Sequence, residues 1–125
     1  MATKAQVRNK ALKKLQVLEE GESPTNEVIS DVEEVYDELH RYLLNRGAVF
    51  WDSDEEIPDE CVRPMVVMLA AEMADDFGVN EQRYQRLQVE AYGIGGKENG
   101  SGGAFQSLMR MAHTYVYKPT VAEYL

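Results

Sequence analysis

The stretch that decides the fold is residues 57–79, IPDECVRPMVVMLAAEMADDFGV. From Met65 to Phe77 it is almost entirely apolar, with side chains that recur at helical spacing around most of the circumference. A helix of this kind is buried from more than one direction. We therefore expect it to be the central helix of a bundle, or one that also meets a neighbouring subunit. Pro58 suits its first turn, whereas Pro64 predicts a kink or a fresh start.

Two amphipathic helices are predicted before this segment. The first covers 3–18, with Thr3 as its N-cap and an apolar stripe at spacings of three and four. The second opens at Ser23-Pro24 or at Thr25, runs to Arg46 and stops at Gly47. One face of the second helix is strongly acidic and is interpreted first as a water-facing surface; its residues are Asp31, Glu33, Glu34, Asp37 and Glu38.

A shorter fourth helix is predicted between Asn80, which caps it, and Gly93, which ends it. The next segment, GIGGKENGSGG at 93–103, has six glycines among eleven residues and too few apolar side chains to offset backbone ordering. Beyond it, 105–112 can form two helical turns, and 113–125 is rich in tyrosine and valine and favours an extended form.

The predicted fold is therefore all-α. It consists of a bundle of about four helices over 1–92, a flexible glycine-rich linker over 93–103, and a short helix plus an extended docking arm over 104–125. A P-loop is excluded for the linker, because Ala91 stands where its first glycine belongs and Glu98 follows Lys97 in place of serine or threonine.

Charge is distributed unevenly along the chain, whose net charge is −9. Residues 1–18 contain five basic side chains and no acid, whereas residues 19–60 contain fifteen acids and two arginines. General coating of nucleic acid is disfavoured, because that affinity comes from cations that displace phosphate counterions. The basic first helix is either a solvated face or a contact for an acidic partner or a phosphate backbone.

The cysteine, histidine and acidic residues of this sequence do not form the patterns expected of a catalytic or metal site. Cys61 is interpreted as a small core residue and His40 as a helix surface residue. The acidic loop at 52–60 fails the EF-hand pattern, because Ile57 replaces the turn glycine and Arg63 the bidentate glutamate. We expect no enzymatic activity, no cofactor and no metal. No apolar run approaches the ~20 residues of a membrane span, so we expect a soluble protein with no membrane partner.

The C-terminal segment is too apolar for a solvated tail and is predicted to dock. Either it folds back on its own bundle, or it reaches another chain and pairs its backbone with an exposed edge while its aromatic side chains fill pockets. The candidate partner-binding residues are Tyr115, Val116, Tyr117, Pro119, Tyr124 and Leu125.

Three stretches together resemble the adaptor proteins of tailed bacteriophages, also called head-completion proteins or tail accessory factors. The opening TKAQVRNKALKKLQVL resembles the first helix of that family. The acid-capped, alanine-rich segment at 57–79 is similar to a second family helix, and GSGGAFQSL is similar to the linker that precedes a C-terminal arm.

The resemblance implies a structural virion protein at the head-to-tail junction, made in the host cytoplasm. Such adaptors form a ring, commonly of twelve copies, that binds beneath the portal protein, extends the DNA channel, helps to retain the genome and presents a platform for tail proteins. DNA would pass through without specific contacts, and the acidic surface of Glu33, Glu34, Asp37 and Glu38 would face the channel and repel it. The alternative is an independent helical regulator or small enzyme.

Overall fold

The computed structural model describes residues 1–19, 21–97 and 102–116, with side chains up to residue 113. Over these residues the protein has five helices and no strand, which confirms the all-α prediction. An isolated antiparallel bridge joins Ala2 to Ile57. The helices are α1 (Lys4–Lys14), α2 (Asn26–Asn45), α3 (Asp59–Met73), α4 (Glu81–Tyr92) and α5 (Gly103–Val116).

The predicted N-caps Thr3 and Asn80 are confirmed, and of the two predicted starts of the second helix the structure has Thr25. The side chains of Thr3, Thr25 and Asn80 each accept a hydrogen bond from the backbone N–H three residues further on. At Thr3 the side chain of Gln6 also returns to the cap backbone, which completes a capping box. Each cap contributes about 1 kcal/mol by satisfying N–H groups that have no partner within the helix.

α3 is the central helix and packs against all four of the others. Its methionines at 65, 68 and 73 and the segment Leu69–Ala71 are almost fully buried. Pro64 lies inside it, and the helix continues past that residue, so there is no fresh start. The apolar circumference seen in the sequence is therefore covered by helices on more than one side.

The four outer helices form two pairs over α3. α1 and α2 contact each other and α3, and α4 and α5 contact each other and α3. The helix axes of one pair do not approach those of the other, although side chains cross between them: Lys14 in α1 pairs with Glu90 in α4 at 3.1 Å. α3 thus separates two helix pairs of different character.

α5 lies beyond the bundle predicted over 1–92 and packs in the same core. Phe105, Leu108 and Ala112 are 3%, 0% and 1% exposed and pack among the residues that surround α3. α5 also continues to Val116, whereas 113–116 were expected to be extended. Burial of the stripe at 105, 108 and 112 outweighs the weak β preference of tyrosine and valine.

The ends of the glycine-rich segment are held against each other. A Cβ at Gly93 would lie 3.1 Å from the Cα of Gly102, so these two backbones touch. Gly103 has a φ of +64°, and a Cβ there would lie 2.4 Å from the carbonyl oxygen of Glu90. These glycines permit a close junction of α4 and α5, which a sequence interpretation based on flexibility did not anticipate.

Candidate interaction surfaces

Ion pairs along the contact between α1 and α2 use part of the acidic face of α2. Lys4 Nζ lies 2.7 Å from Asp37 Oδ1, and Arg8 Nη1 lies 3.2 Å from Glu33 Oε1. The Lys4 ammonium also lies 5.2 Å from the ring centroid of Tyr36. Two of the four acids expected to face a channel therefore have cationic partners within their own chain.

The other two acids, Glu34 and Glu38, are exposed and border a groove of about 490 Å³ beside α2. Its floor includes the half-buried side chains of Val35 and Phe77. We call this the acidic groove, because four of its eight lining residues are acids. The lining residues are Asp31, Val32, Glu34, Val35, Glu38, Met73, Asp76 and Phe77.

A second groove, of about 590 Å³, lies between α1 and the first half of α3. Lys10 and Arg63 are exposed at its border, and Val62 and Val66 are half-buried in it. Its single carboxylate, Asp59, forms an ion pair with the amino group of Met1. We call it the basic groove. Its lining residues are Met1, Ala2, Gln6, Lys10, Asp59, Val62, Arg63 and Val66.

The two grooves lie on opposite flanks of the α1–α2 pair. On α1, Lys4 and Arg8 face α2, and Lys10 is two residues beyond Arg8, about 200° around the helix. On α2, Glu33 faces α1 and Glu34 is turned by about 100° away from it. The basic groove therefore borders the outer side of α1, and the acidic groove borders the outer side of α2.

The prediction that His40 is a surface residue is wrong. Its side chain is 5% exposed, and its Nε2 donates to the backbone oxygen of Trp51 at 2.6 Å. The His40 ring also stacks near Tyr36, with centroids 6.3 Å apart, and Trp51 Nε1 donates to the Tyr36 hydroxyl at 3.4 Å. The spacing of His40 four residues after Tyr36 was the available signal for burial.

Trp51 is buried and attaches the 48–60 loop to the core. Burial raises the pKa of the Tyr36 hydroxyl that accepts its indole N–H. The buried polar side-chain atoms of His40, Tyr36 and Trp51 have hydrogen-bond partners, as do all other buried side-chain nitrogens and oxygens of the described residues. His40, Tyr36 and Trp51 together thus form a polar part of the core.

Cys61 is buried, in agreement with its interpretation as a core residue. Its Sγ lies 4.0 Å from Met111 Sδ on α5. Burial, with a smaller contribution from the charge of Glu60, raises the pKa of the thiol to about 11. The thiolate is therefore scarce at neutral pH, and the side chain serves the contact between α3 and α5.

A cluster of cations and aromatic rings holds the start of the glycine-rich segment. Lys97 Nζ lies 2.9 Å from Glu72 Oε1 and 4.5 Å from the ring centroid of Tyr42. Glu72 also accepts a hydrogen bond from the hydroxyl of Tyr92, whose pKa is raised by burial and by that carboxylate. Arg46 lies 5.3 Å from the ring of Phe105. These contacts were not predicted from the sequence, because their members are far apart along the chain.

The predicted docking arm is described only at its start. Tyr115 and Val116 are the last two residues of α5, in helical rather than extended backbone. Tyr117, Pro119, Tyr124 and Leu125 lie outside the described residues, so their predicted role in partner binding stays a prediction.

The described residues contain no group of three or more metal-ligating side chains. Within those same ranges, none of the helices has the length and apolar character needed to cross a membrane. Comparisons with protein-family models, with curated proteins and with solved structures found no match.

Proposed function

We propose that this chain is a structural adaptor of tailed bacteriophages. It would form a ring beneath the portal protein, extend the DNA channel, help to retain packaged DNA and provide the platform for tail proteins. The proposal starts from the resemblance of residues 3–18, 57–79 and 100–108 to that family. A ring-forming role needs surfaces for neighbours and a segment for the portal, and both have candidates in this chain.

The observation that carries the proposal is the anchoring of α5. Phe105, Leu108 and Ala112 fix this helix in the core, so the chain that follows Val116 starts from a defined point. That following sequence, YKPTVAEYL, contains two tyrosines, a valine and a leucine within nine residues. An aromatic segment that starts from a rigid base suits docking on a partner, because the base lowers the ordering cost of binding.

The reactive side chains of the described residues support a binding role rather than the alternative of a small enzyme. Cys61 is buried with a pKa of about 11, and the His40 imidazole is hydrogen-bonded inside the core. Exposed carboxylates, lysines and arginines line the two grooves at the flanks of the α1–α2 pair. Charged flanks with apolar floors are features of protein contacts.

The acids of α2 have a different use in this proposal from the one expected at first. Glu33 and Asp37 are paired with Arg8 and Lys4, so their charges contribute little to a surface that repels DNA. Glu34 and Glu38 adjoin apolar side chains, which suits a protein contact better than passing DNA. We therefore propose that they contact protein.

The proposal is tested by binding to the portal protein of the same genome. The wild-type chain and a chain truncated after Val116 are each mixed with purified portal and examined by native mass spectrometry. We expect wild type to add in multiple copies and the truncated chain to lose portal binding. Truncation after Val116 keeps all of α5, so its core contacts and helical content remain.

A matched control carries residues 117–125 in scrambled order, which preserves length and composition. Loss of binding in both variants would assign recognition to the sequence of the segment. A wild-type chain that stays a monomer or dimer with portal present would contradict the adaptor role and favour an independent helical regulator. If the truncated chain binds portal as well as wild type does, residues 117–125 do not form the portal contact.

A further inference from the structure

We propose that neighbouring copies of this chain bind head to tail, with the basic groove of one copy against the acidic groove of the next. The inference rests on the proposed ring-forming function and names the surfaces that form the ring contact. It is drawn from the position, the charge and the apolar content of the two grooves.

The position of the grooves favours a directional contact. The basic groove borders the outer side of α1 and the acidic groove the outer side of α2, so each copy carries the two surfaces on opposite flanks. A contact between two different surfaces leaves one of each free for further copies. Such a heterologous contact forms a ring when its rotation closes.

The charges of the two grooves are complementary and lack partners within the described chain. Lys10 and Arg63 form no ion pair within 4.0 Å there, and neither do Glu34 and Glu38. Pairing two acidic grooves would place at least eight carboxylates together and would be repulsive. The charges thus favour the head-to-tail contact and oppose a symmetric contact between acidic grooves.

Each groove also presents half-buried apolar side chains between its charges. These are Val62 and Val66 in the basic groove, and Val35 and Phe77 in the acidic groove. Apposition of the grooves would remove these side chains from water while the charges at the borders pair. The apolar centres supply affinity, and the charges set the direction of binding.

The test uses charge reversal in the full-length chain. One variant carries Lys10→Glu with Arg63→Glu, and a second carries Glu34→Lys with Glu38→Lys. A control carries Glu19→Lys with Glu81→Lys, which repeats the charge change of the second variant at exposed residues outside both grooves. Self-association is measured by sedimentation velocity and native mass spectrometry at low salt.

We expect the self-association of each groove variant alone to be about ten-fold weaker than that of wild type, and that of the control to equal wild type. An equimolar mixture of the two groove variants should associate again, because each then offers the groove that the other needs. A chain with all four groove substitutions should also recover. Raising the salt from about 50 mM to about 500 mM should weaken wild-type association.

Groove variants that associate as wild type does would overturn the inference and leave the adaptor function standing. Loss of association without recovery in the mixture would also overturn it, because recovery requires direct pairing of the two grooves. Conversely, groove-dependent association of a chain that never binds portal would support the inference and contradict the adaptor function. A chain that remains monomeric at low salt, alone and with portal, would contradict both.

Discussion

The two helix pairs that cover α3 are held together by different forces. α1 and α2 are joined by the ion pairs Lys4–Asp37 and Arg8–Glu33. α4 and α5 are joined by direct backbone approach at Gly93 and Gly102 and by buried apolar side chains. Long charged side chains tolerate small displacements, whereas touching backbones do not.

This difference assigns separate tasks to the two pairs. The α4–α5 junction is close, because added atoms there would meet backbone, and in the proposed function it would give a defined base to the C-terminal segment. Only some charged side chains of α1 and α2 form ion pairs with each other. The others leave basic side chains on the outer side of α1 and acidic side chains on the outer side of α2. We expect stability to depend mainly on the first pair and association mainly on the second.

The largest effect is expected at the α4–α5 junction. In Gly103→Ala the new methyl group would meet the carbonyl oxygen of Glu90 at 2.4 Å, and the residue would keep a φ of +64°. We expect a loss of about 4 kcal/mol in the free energy of unfolding, from steric overlap added to left-handed strain. Chemical denaturation monitored by circular dichroism measures it.

The control for this prediction is Gly96→Ala. Gly96 also has a positive φ, +74°, but no atom lies within 4 Å of the position that a Cβ would take there. The substitution should cost only about 1 kcal/mol, from backbone strain alone. Equal losses at the two glycines would show that the close approach of α4 and α5 adds nothing to the free energy of unfolding. The α4–α5 pair would then not differ from the α1–α2 pair in the way described above.

The next largest effect concerns the packing of α5 in the core. Leu108 is fully buried, so Leu108→Ala should lower the free energy of unfolding by about 3 kcal/mol through lost burial and a cavity. Met109→Ala, one residue further and only half-buried, is the control and should cost about 1 kcal/mol. A small, equal loss in both would mean that α5 contributes little to the core.

Local features of the fold were predictable from the sequence, and long-range ones were not. The caps at Thr3, Thr25 and Asn80 depend on residues three positions away, and the burial of α3 follows from its own composition. The role of Gly93 and Gly102 depends on a contact between two helices. Glycines that allow close approach and glycines that loosen a linker have the same composition, so the close approach at Gly93 and Gly102 could not be predicted from sequence alone.

The candidate surfaces show the same limit of sequence reasoning. The acidic face of α2 was visible, but its division into paired and unpaired carboxylates depends on Lys4 and Arg8 of another helix. His40 was assigned to the surface of the second helix, and its burial depends on the backbone oxygen of Trp51. The grooves combine residues from different helices and had no local signal.

A smaller effect is expected from the thiol between α3 and α5. Burial raises the pKa of Cys61 from 9.0 to about 11, so the folded chain keeps a proton that the unfolded chain releases between these values. The protonated thiol therefore contributes its full share to the free energy of unfolding below pH 9, and this share is lost as the pH rises toward 11. We expect a loss of about 1 kcal/mol by about pH 10.

Denaturant unfolding from about pH 8 to about pH 10, compared with Cys61→Ala, measures this contribution. Tyr36 and Tyr92 also have raised pKa values and lower the stability in the same direction, but from a starting pKa of 10.0. The alanine variant should therefore show a shallower decline over the first pH unit above 9.0. Identical declines in the two proteins would show that the thiol titrates as an exposed group and that α5 leaves it accessible.

The smallest effect is expected at the contact between α1 and α2. A double-mutant cycle of Arg8→Met and Glu33→Gln should give a coupling of about 0.5 kcal/mol, because the Glu33 side chain is 40% exposed and the pair is partly screened. Glu34→Gln, on the adjacent outer flank, should leave the stability of the monomer unchanged and weaken self-association. A coupling above about 2 kcal/mol would make the ion pairs as important as the glycine junction, and the two helix pairs would then no longer differ in how they are held.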